Sequence, residues 1–125
     1  MKDAYTEYIY KGIPYRLVFN INTMEDIQNK FGSMGEWMAQ TTFESGEMNI
    51  KAVKYGFLAM TNEGISIEND ENGTEKPYIS DRQAGRIMTE LGLAKVGELL
   101  NEIVIKSSPD AKKNLKNAKS VQKKK

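Results

Sequence analysis

The apolar residues of the segment PYRLVFNINTMEDIQNKFG, residues 14–32, change their spacing halfway along. In the first half they recur at every second position, which is the pattern of a half-buried strand. In the second half they recur at every third or fourth position, which is the pattern of an amphipathic helix. A chain with both periods must pack strands against helices to bury both apolar faces. We therefore predict an α+β fold.

A β-hairpin is predicted at the N-terminus. Residues 5–10 and 14–19 are rich in tyrosine, isoleucine, valine and phenylalanine, and Gly12 between them suits a tight turn. A two-stranded hairpin is only marginally stable alone, so we expect it to lie on helices. Its strand edges also offer a route to a homo-oligomer, through pairing with a second copy.

About four to five short α-helices are predicted after the hairpin. The first is expected to take Asn22 as its N-cap, with Glu25 at the third helical position. This helix is expected to end at Gly32, because glycine is favoured just after the last helical residue.

Residues 33–43 fit either a short helix or a packed loop. The next helix has clearer signals, since Asn49 can cap it and an apolar stripe follows at helical spacing. Leu58 and Ala59 widen that stripe, which is typical of a well-buried helix.

The acidic stretch of residues 62–79 is predicted to be a loop. Its Asn72-Gly73 pair suits a tight turn, and a small second hairpin across that turn is one interpretation. Ser80 and Gln83 then form a capping-box pattern that opens another helix. A last amphipathic helix follows it.

The charge of the chain is divided between its body and its C-terminus. Residues 106–125 hold eight lysines and one aspartate, whereas the other 105 residues hold ten basic and sixteen acidic residues. Beyond Pro109 there are too few apolar side chains to offset the entropy lost on ordering. We predict one α+β domain over residues 1–106 and a mobile, disordered basic tail over residues 107–125.

The composition also limits the catalytic and metal-binding chemistry that the chain can support. The chain has neither cysteine nor histidine, so disulfides are excluded and the commonest general base and zinc ligand are missing. No carboxylate pair stands in an apolar setting, so we predict a protein that is not an enzyme and holds no metal or cofactor. No apolar run approaches the ~20 residues of a membrane span, and the N-terminus lacks a signal-peptide core. These features predict a cytoplasmic protein that makes no membrane contact.

Two features are candidates for binding a partner. Trp37 and Met38 form either an adaptable binding patch or, for Trp37, part of the core, and the usual burial of aromatic residues favours the core. The tail lysines Lys112, Lys113 and Lys116 could contact a protein or neutralise nucleic-acid phosphates. The tail has no aromatic residue to stack on bases, so we expect no sequence-specific nucleic-acid binding.

Three segments in a fixed order resemble a known family. They are YRLVFNINTMEDIQNKFG, IKAVKYGFLAMTNEG and, after an acidic loop, ISDRQAGRIMTELGLAKVGELLNEIV. This order is similar to that of the tail assembly chaperones of long-tailed (siphovirus-type) bacteriophages and prophages of Gram-positive bacteria. The likeness covers about residues 6–106 and lies in apolar, asparagine and glycine positions.

The resemblance implies a non-enzymatic role in the host bacterial cytoplasm. Such chaperones bind the tape measure protein, a long, apolar, helical polypeptide, and keep it soluble until tail tube protein polymerises around it. In many members a ribosomal frameshift makes a longer form that is thought to recruit tail tube protein. The competing hypothesis from the residues alone is a small regulatory or nucleic-acid-binding protein that acts through its lysine-rich tail.

Overall fold

A computed structural model describes residues 5–41 and 48–107. Within these ranges a two-stranded sheet is followed by five helices, which confirms the predicted α+β fold with its N-terminal hairpin. The elements are β1 (Thr6–Tyr10), β2 (Ile13–Leu17), α1 (Ile21–Phe31), α2 (Met34–Thr41), α3 (Ile50–Asn72), α4 (Asp81–Leu91) and α5 (Leu93–Ser107). The predicted tail lies outside the described residues, apart from Ser107 at the end of α5.

The hairpin is an antiparallel pair closed by a two-residue turn. Tyr10 pairs with Ile13, and the intervening Lys11 and Gly12 have φ angles of 52° and 75°. Positive φ at both central residues is the geometry of a type I′ turn, whose twist matches that of the strands. Gly12 therefore closes the hairpin as the sequence predicts.

Helix α3 lies at the centre of the fold. It packs against β2 and against each of the other four described helices. The hairpin also reaches it through Tyr8, whose ring centroid is 5.1 Å from that of Phe57. The Tyr8 hydroxyl forms a buried 3.0 Å hydrogen bond with that of Thr61. The marginal hairpin is thus held by α3.

Gly64 allows α3 to approach β2 backbone to backbone. A β-carbon added at Gly64 would overlap the carbonyl oxygen of Arg16. Close by, the N–H of Val18 donates to the carbonyl of Met60 at 3.1 Å. α3 therefore covers the outer edge of β2.

Helix α2 is attached to α3 through Trp37, which is 2% exposed. Its indole N–H donates to the carbonyl of Ala52 at 2.9 Å, and its ring lies so close to Gly56 that a β-carbon there would overlap it. Residues 34–41 thus form the short helix that was one of two interpretations of this region. The burial of Trp37 supports its interpretation as a core residue.

The prediction that Asn22 caps α1 with Glu25 is wrong. The N-cap is Asn20, whose side chain accepts from the Thr23 N–H at 3.2 Å, while the Thr23 hydroxyl accepts from the Asn20 N–H at 2.8 Å. The reason is that β2 ends at Leu17, two residues earlier than predicted, so the helix also begins earlier.

The prediction of a loop or second hairpin over residues 62–79 is wrong for its first part. α3 continues to Asn72, and Gly73 takes the left-handed conformation that ends it, with φ 64°. The many acidic residues of this stretch are typical of a solvated turn. In the structure they lie on the solvent-accessible side of α3. Glu71, for example, accepts a 3.3 Å bond from Arg16.

Three other predicted helix boundaries are confirmed. Ser80 and Gln83 form a reciprocal capping box at the start of α4, with bonds of 3.1 and 2.8 Å. Asn49 caps α3, and Gly32 follows the last residue of α1. These signals are local, so neighbouring residues alone determine them.

Replacing Gly64 by alanine is expected to lower the free energy of unfolding by about 1–3 kcal/mol, because the methyl group meets a backbone carbonyl that can move only with β2. Urea unfolding followed by circular dichroism measures this change. Gly85→Ala is the matched control, since a methyl group there meets only the Lys54 side chain at 3.7 Å. It should stabilise α4 by up to about 1 kcal/mol through helix propensity. Equal effects of the two substitutions would contradict the close approach of α3 to β2.

The stability of the fold is expected to fall at alkaline pH because of Tyr8. Burial raises the pKa of its hydroxyl well above the usual range, and the bond to Thr61 offsets this only in part. The unfolded chain releases this proton at pH about 10, so the contribution of neutral Tyr8 is complete below that pH and is lost as the pH rises further. Unfolding at several pH values should show a shallower alkaline decline for Tyr8→Phe. Identical slopes for the two proteins would show that Tyr8 is not the cause.

Candidate protein-binding groove

A groove open to solvent runs along one face of α3, with a volume of about 320 Å³. Its α3 residues recur at intervals of three or four, so they share a face of the helix. α1 forms one wall, and the segment between α3 and α4 forms the other. The lining residues are Asp26, Tyr55, Leu58, Ala59, Asn62, Glu63, Ser66 and Tyr78.

The α1 wall is positioned by polar contacts at two points along α3. The side-chain amides of Asn20 and Asn22 donate to the Glu63 carboxylate at 2.7 and 3.1 Å. Further along, the Tyr55 hydroxyl donates to the backbone carbonyl of Asp26 at 3.2 Å. Burial, and secondarily the charge of Asp26, raises the pKa of the Tyr55 hydroxyl. α1 consequently lies antiparallel to α3.

The opposite wall is held by two asparagines that lie two helical turns apart on α3. Asn62 accepts from the N–H of Ile79 at 2.8 Å and donates to its carbonyl at 3.1 Å. Asn69 accepts from the N–H of Lys76 and donates to its carbonyl, both at 3.0 Å. These four bonds lay the segment back along α3 and place Tyr78 at the groove.

The groove combines an apolar floor with an acidic margin. Leu58 and Ala59 are half-buried in the floor, and Tyr78 is 59% exposed at its side. Asp26 and Glu63 supply carboxylates, and none of the lining residues is basic. Such a groove is complementary to an amphipathic helix whose apolar stripe is flanked by lysine or arginine.

The residues predicted to contact a partner do not form this groove. Trp37 is buried in the core, so its side chain offers no contact surface in this structure. Met38, on α2, is 40% exposed but does not line the groove. Lys112, Lys113 and Lys116 lie outside the described residues.

Sequence reasoning missed the groove although two signals pointed to it. Leu58 and Ala59 make the apolar stripe of α3 wider than the core requires, and the excess is the groove floor. Asn62 and Asn69 are seven residues apart and therefore lie on one face of the helix. Two amide side chains on one face can bind the backbone of a segment that runs along the helix. The second signal can be used only if α3 is known to continue past residue 61.

Metal sites and membrane spans are absent from residues 5–41 and 48–107. In these ranges no three acidic or other ligating side chains come together in a way that could hold a metal ion. No helix of the same ranges has both the length and the apolar character that crossing a membrane requires.

Comparison with known proteins identifies no relative of the chain. No family model matches it. No curated protein and no solved structure matches it either. The observations that bear on function are the sequence, its resemblance to tail assembly chaperones and the groove.

Replacing Asn62 by alanine is expected to release the segment that carries Tyr78, because two backbone groups of Ile79 lose their partner. The free energy of unfolding should fall by about 1–3 kcal/mol, and hydrogen exchange at the Ile79 N–H, followed by NMR, should accelerate. Asn72→Ala is the control, since that exposed residue ends α3 away from Ile79. Unchanged exchange at Ile79 in Asn62→Ala would contradict the role of Asn62.

Proposed function

We propose that the chain is a tail assembly chaperone of a long-tailed bacteriophage or prophage of Gram-positive bacteria, acting in the host bacterial cytoplasm. It binds the tape measure protein, keeps it soluble and helps to recruit tail tube protein, through a frameshifted longer form. No covalent bond is made or broken in this role, so the protein acts without being an enzyme. The sequence resemblance motivates this proposal.

The groove along α3 is the observation that carries the proposal. A long apolar helix remains soluble only if its apolar stripe is shielded from water and from other copies. Leu58, Ala59 and Tyr78 offer an apolar surface that residues 5–41 and 48–107 leave open to solvent. An apolar face laid into a groove of this kind is a common mode of helix recognition.

Ile21 is a further exposed apolar residue on α1, the helix that forms one wall of the groove. Its side chain is 81% exposed at the start of α1. It lies between Asn20 and Asn22, which both donate to Glu63 at the groove margin.

The acidic margin of the groove defines the chemistry of the partner. Asp26 and Glu63 favour a tape measure segment that carries lysine or arginine beside its apolar stripe. The same charges keep the loaded complex soluble, and they make association faster at low salt.

Co-expression with the tape measure protein of the same phage genome tests the proposal. The full chain is expected to raise the soluble fraction of the tape measure protein several-fold. Tyr78→Lys should remove this effect, because it places a cation in the apolar wall and repels the basic flank of the bound helix. Soluble tape measure protein is measured by centrifugation and gel densitometry.

Leu93→Lys is the matched control, since Leu93 is an exposed apolar residue, 42% accessible, that does not line the groove. It should solubilise the tape measure protein as well as the unmodified chain does. Equal activity of Tyr78→Lys and Leu93→Lys would contradict the role of the groove. Absence of solubilisation by the unmodified chain would contradict the chaperone function itself.

Duplex DNA binding separates this proposal from the nucleic-acid hypothesis. The chaperone should bind DNA weakly at ~150 mM salt, where phosphate contacts are screened. Tight binding that persists at this salt concentration and disappears when residues 107–125 are removed would favour a nucleic-acid-binding protein instead.

A further inference from the structure

The two outer edges of the hairpin differ in what covers them. The edge of β2 is occupied by α3, through the Val18 N–H and the close approach of Gly64 to Arg16. On β1, Tyr10 and Ile13 flank the two-residue turn and therefore share ladder bonds. Because bonding alternates along a strand, the next outward-facing backbone groups on β1 belong to the residues at positions 9 and 7.

Pro14 independently supports this alternation. It lies opposite Ile9 in the register and has no N–H, so that pair cannot exchange two ladder bonds. The N–H and C=O groups of Ile9 and Glu7 therefore point away from β2. Among the residues that the structure describes, no group forms a hydrogen bond with them.

The open stretch of β1 has a defined beginning. At its N-terminal end, the Lys106 ammonium donates to the Tyr5 carbonyl at 3.4 Å, and the Thr6 hydroxyl donates to Glu102 at 2.8 Å. Among the described residues, these contacts leave the edge of β1 free from Glu7 onward. A free strand edge is a template for pairing with another strand.

The side chain at the middle of this edge is apolar. Ile9 is 63% exposed and lies on the sheet face turned away from the buried Tyr8. The middle of this edge therefore carries an exposed isoleucine where proteins that block an edge usually place a charged residue or proline.

We propose that β1 pairs antiparallel with β1 of a second copy, with Ile9 opposite Ile9 of that copy. The result is one four-stranded sheet that continues across a two-fold axis. In this register Glu7 comes next to the turn residue Lys11 of the second copy, one residue past the end of its β1, so opposite charges meet twice. A register centred on Glu7 would place the Glu7 carboxylates of the two copies opposite each other. A register centred on Tyr8 would place Ile9 of each copy opposite Glu7 of the other. The pattern of charges therefore selects the Ile9-centred register.

Disulfide trapping tests the register directly, because the chain contains no cysteine. Directly opposed, hydrogen-bonded residues have Cα atoms about 5.5 Å apart, which is within the range that a disulfide spans. Ile9→Cys should give a covalent dimer under mild oxidation, seen on a non-reducing gel. Ile21→Cys is the control, since Ile21 is more exposed, at 81%, but lies on α1. Equal rates of cross-linking in the two variants would overturn the proposal.

Light scattering after size exclusion gives a second, independent measurement. The unmodified chain should elute as a dimer, and Ile9→Lys as a monomer with unchanged circular dichroism, because two cations would meet on the axis. Ile21→Lys should remain a dimer. A monomeric unmodified chain at every concentration would overturn the proposal while leaving the chaperone function to its own test.

Discussion

The backbone contact between α3 and β2 determines how the rest of the chain can pack. It requires a residue without a side chain at Gly64, and it is reinforced by the bond from Val18 to Met60. A two-stranded sheet of this size has too little apolar surface to be stable alone. By covering one strand edge and burying Tyr8, α3 supplies what the hairpin lacks. The remaining helices then pack around α3, and their arrangement creates the groove.

The elements that the sequence predicts correctly have local causes. The change of period in residues 14–32 requires only the alternation of strand and helix side chains. The capping box of Ser80 and Gln83 lies within one helical turn. The first N-cap is harder, because Asn20 and Asn22 are both good capping residues. The end of β2 decides between them, and no local pattern contains that information.

Residues 62–72 show how a tertiary contact overrides local preference. Gly64 and the Asn72-Gly73 pair favour a break, but Gly64 is required by the backbone of Arg16 and only Gly73 ends the helix. The groove is hard to predict for the same reason, because Asn62 can bind Ile79 only if α3 continues through residue 62. A lone tryptophan is a natural candidate for a binding residue, but Trp37 is buried in the core. The groove is instead lined by residues that the core covers only in part.

The position of Trp37 gives the molecule a built-in optical probe. It is the only tryptophan of the chain, and its indole is enclosed between α2 and α3 with its N–H bound to Ala52. Indole emission shifts to longer wavelength when water reaches the ring. Fluorescence therefore reports detachment of α2 from α3 without a label, and it can be followed during solution experiments at micromolar protein concentrations.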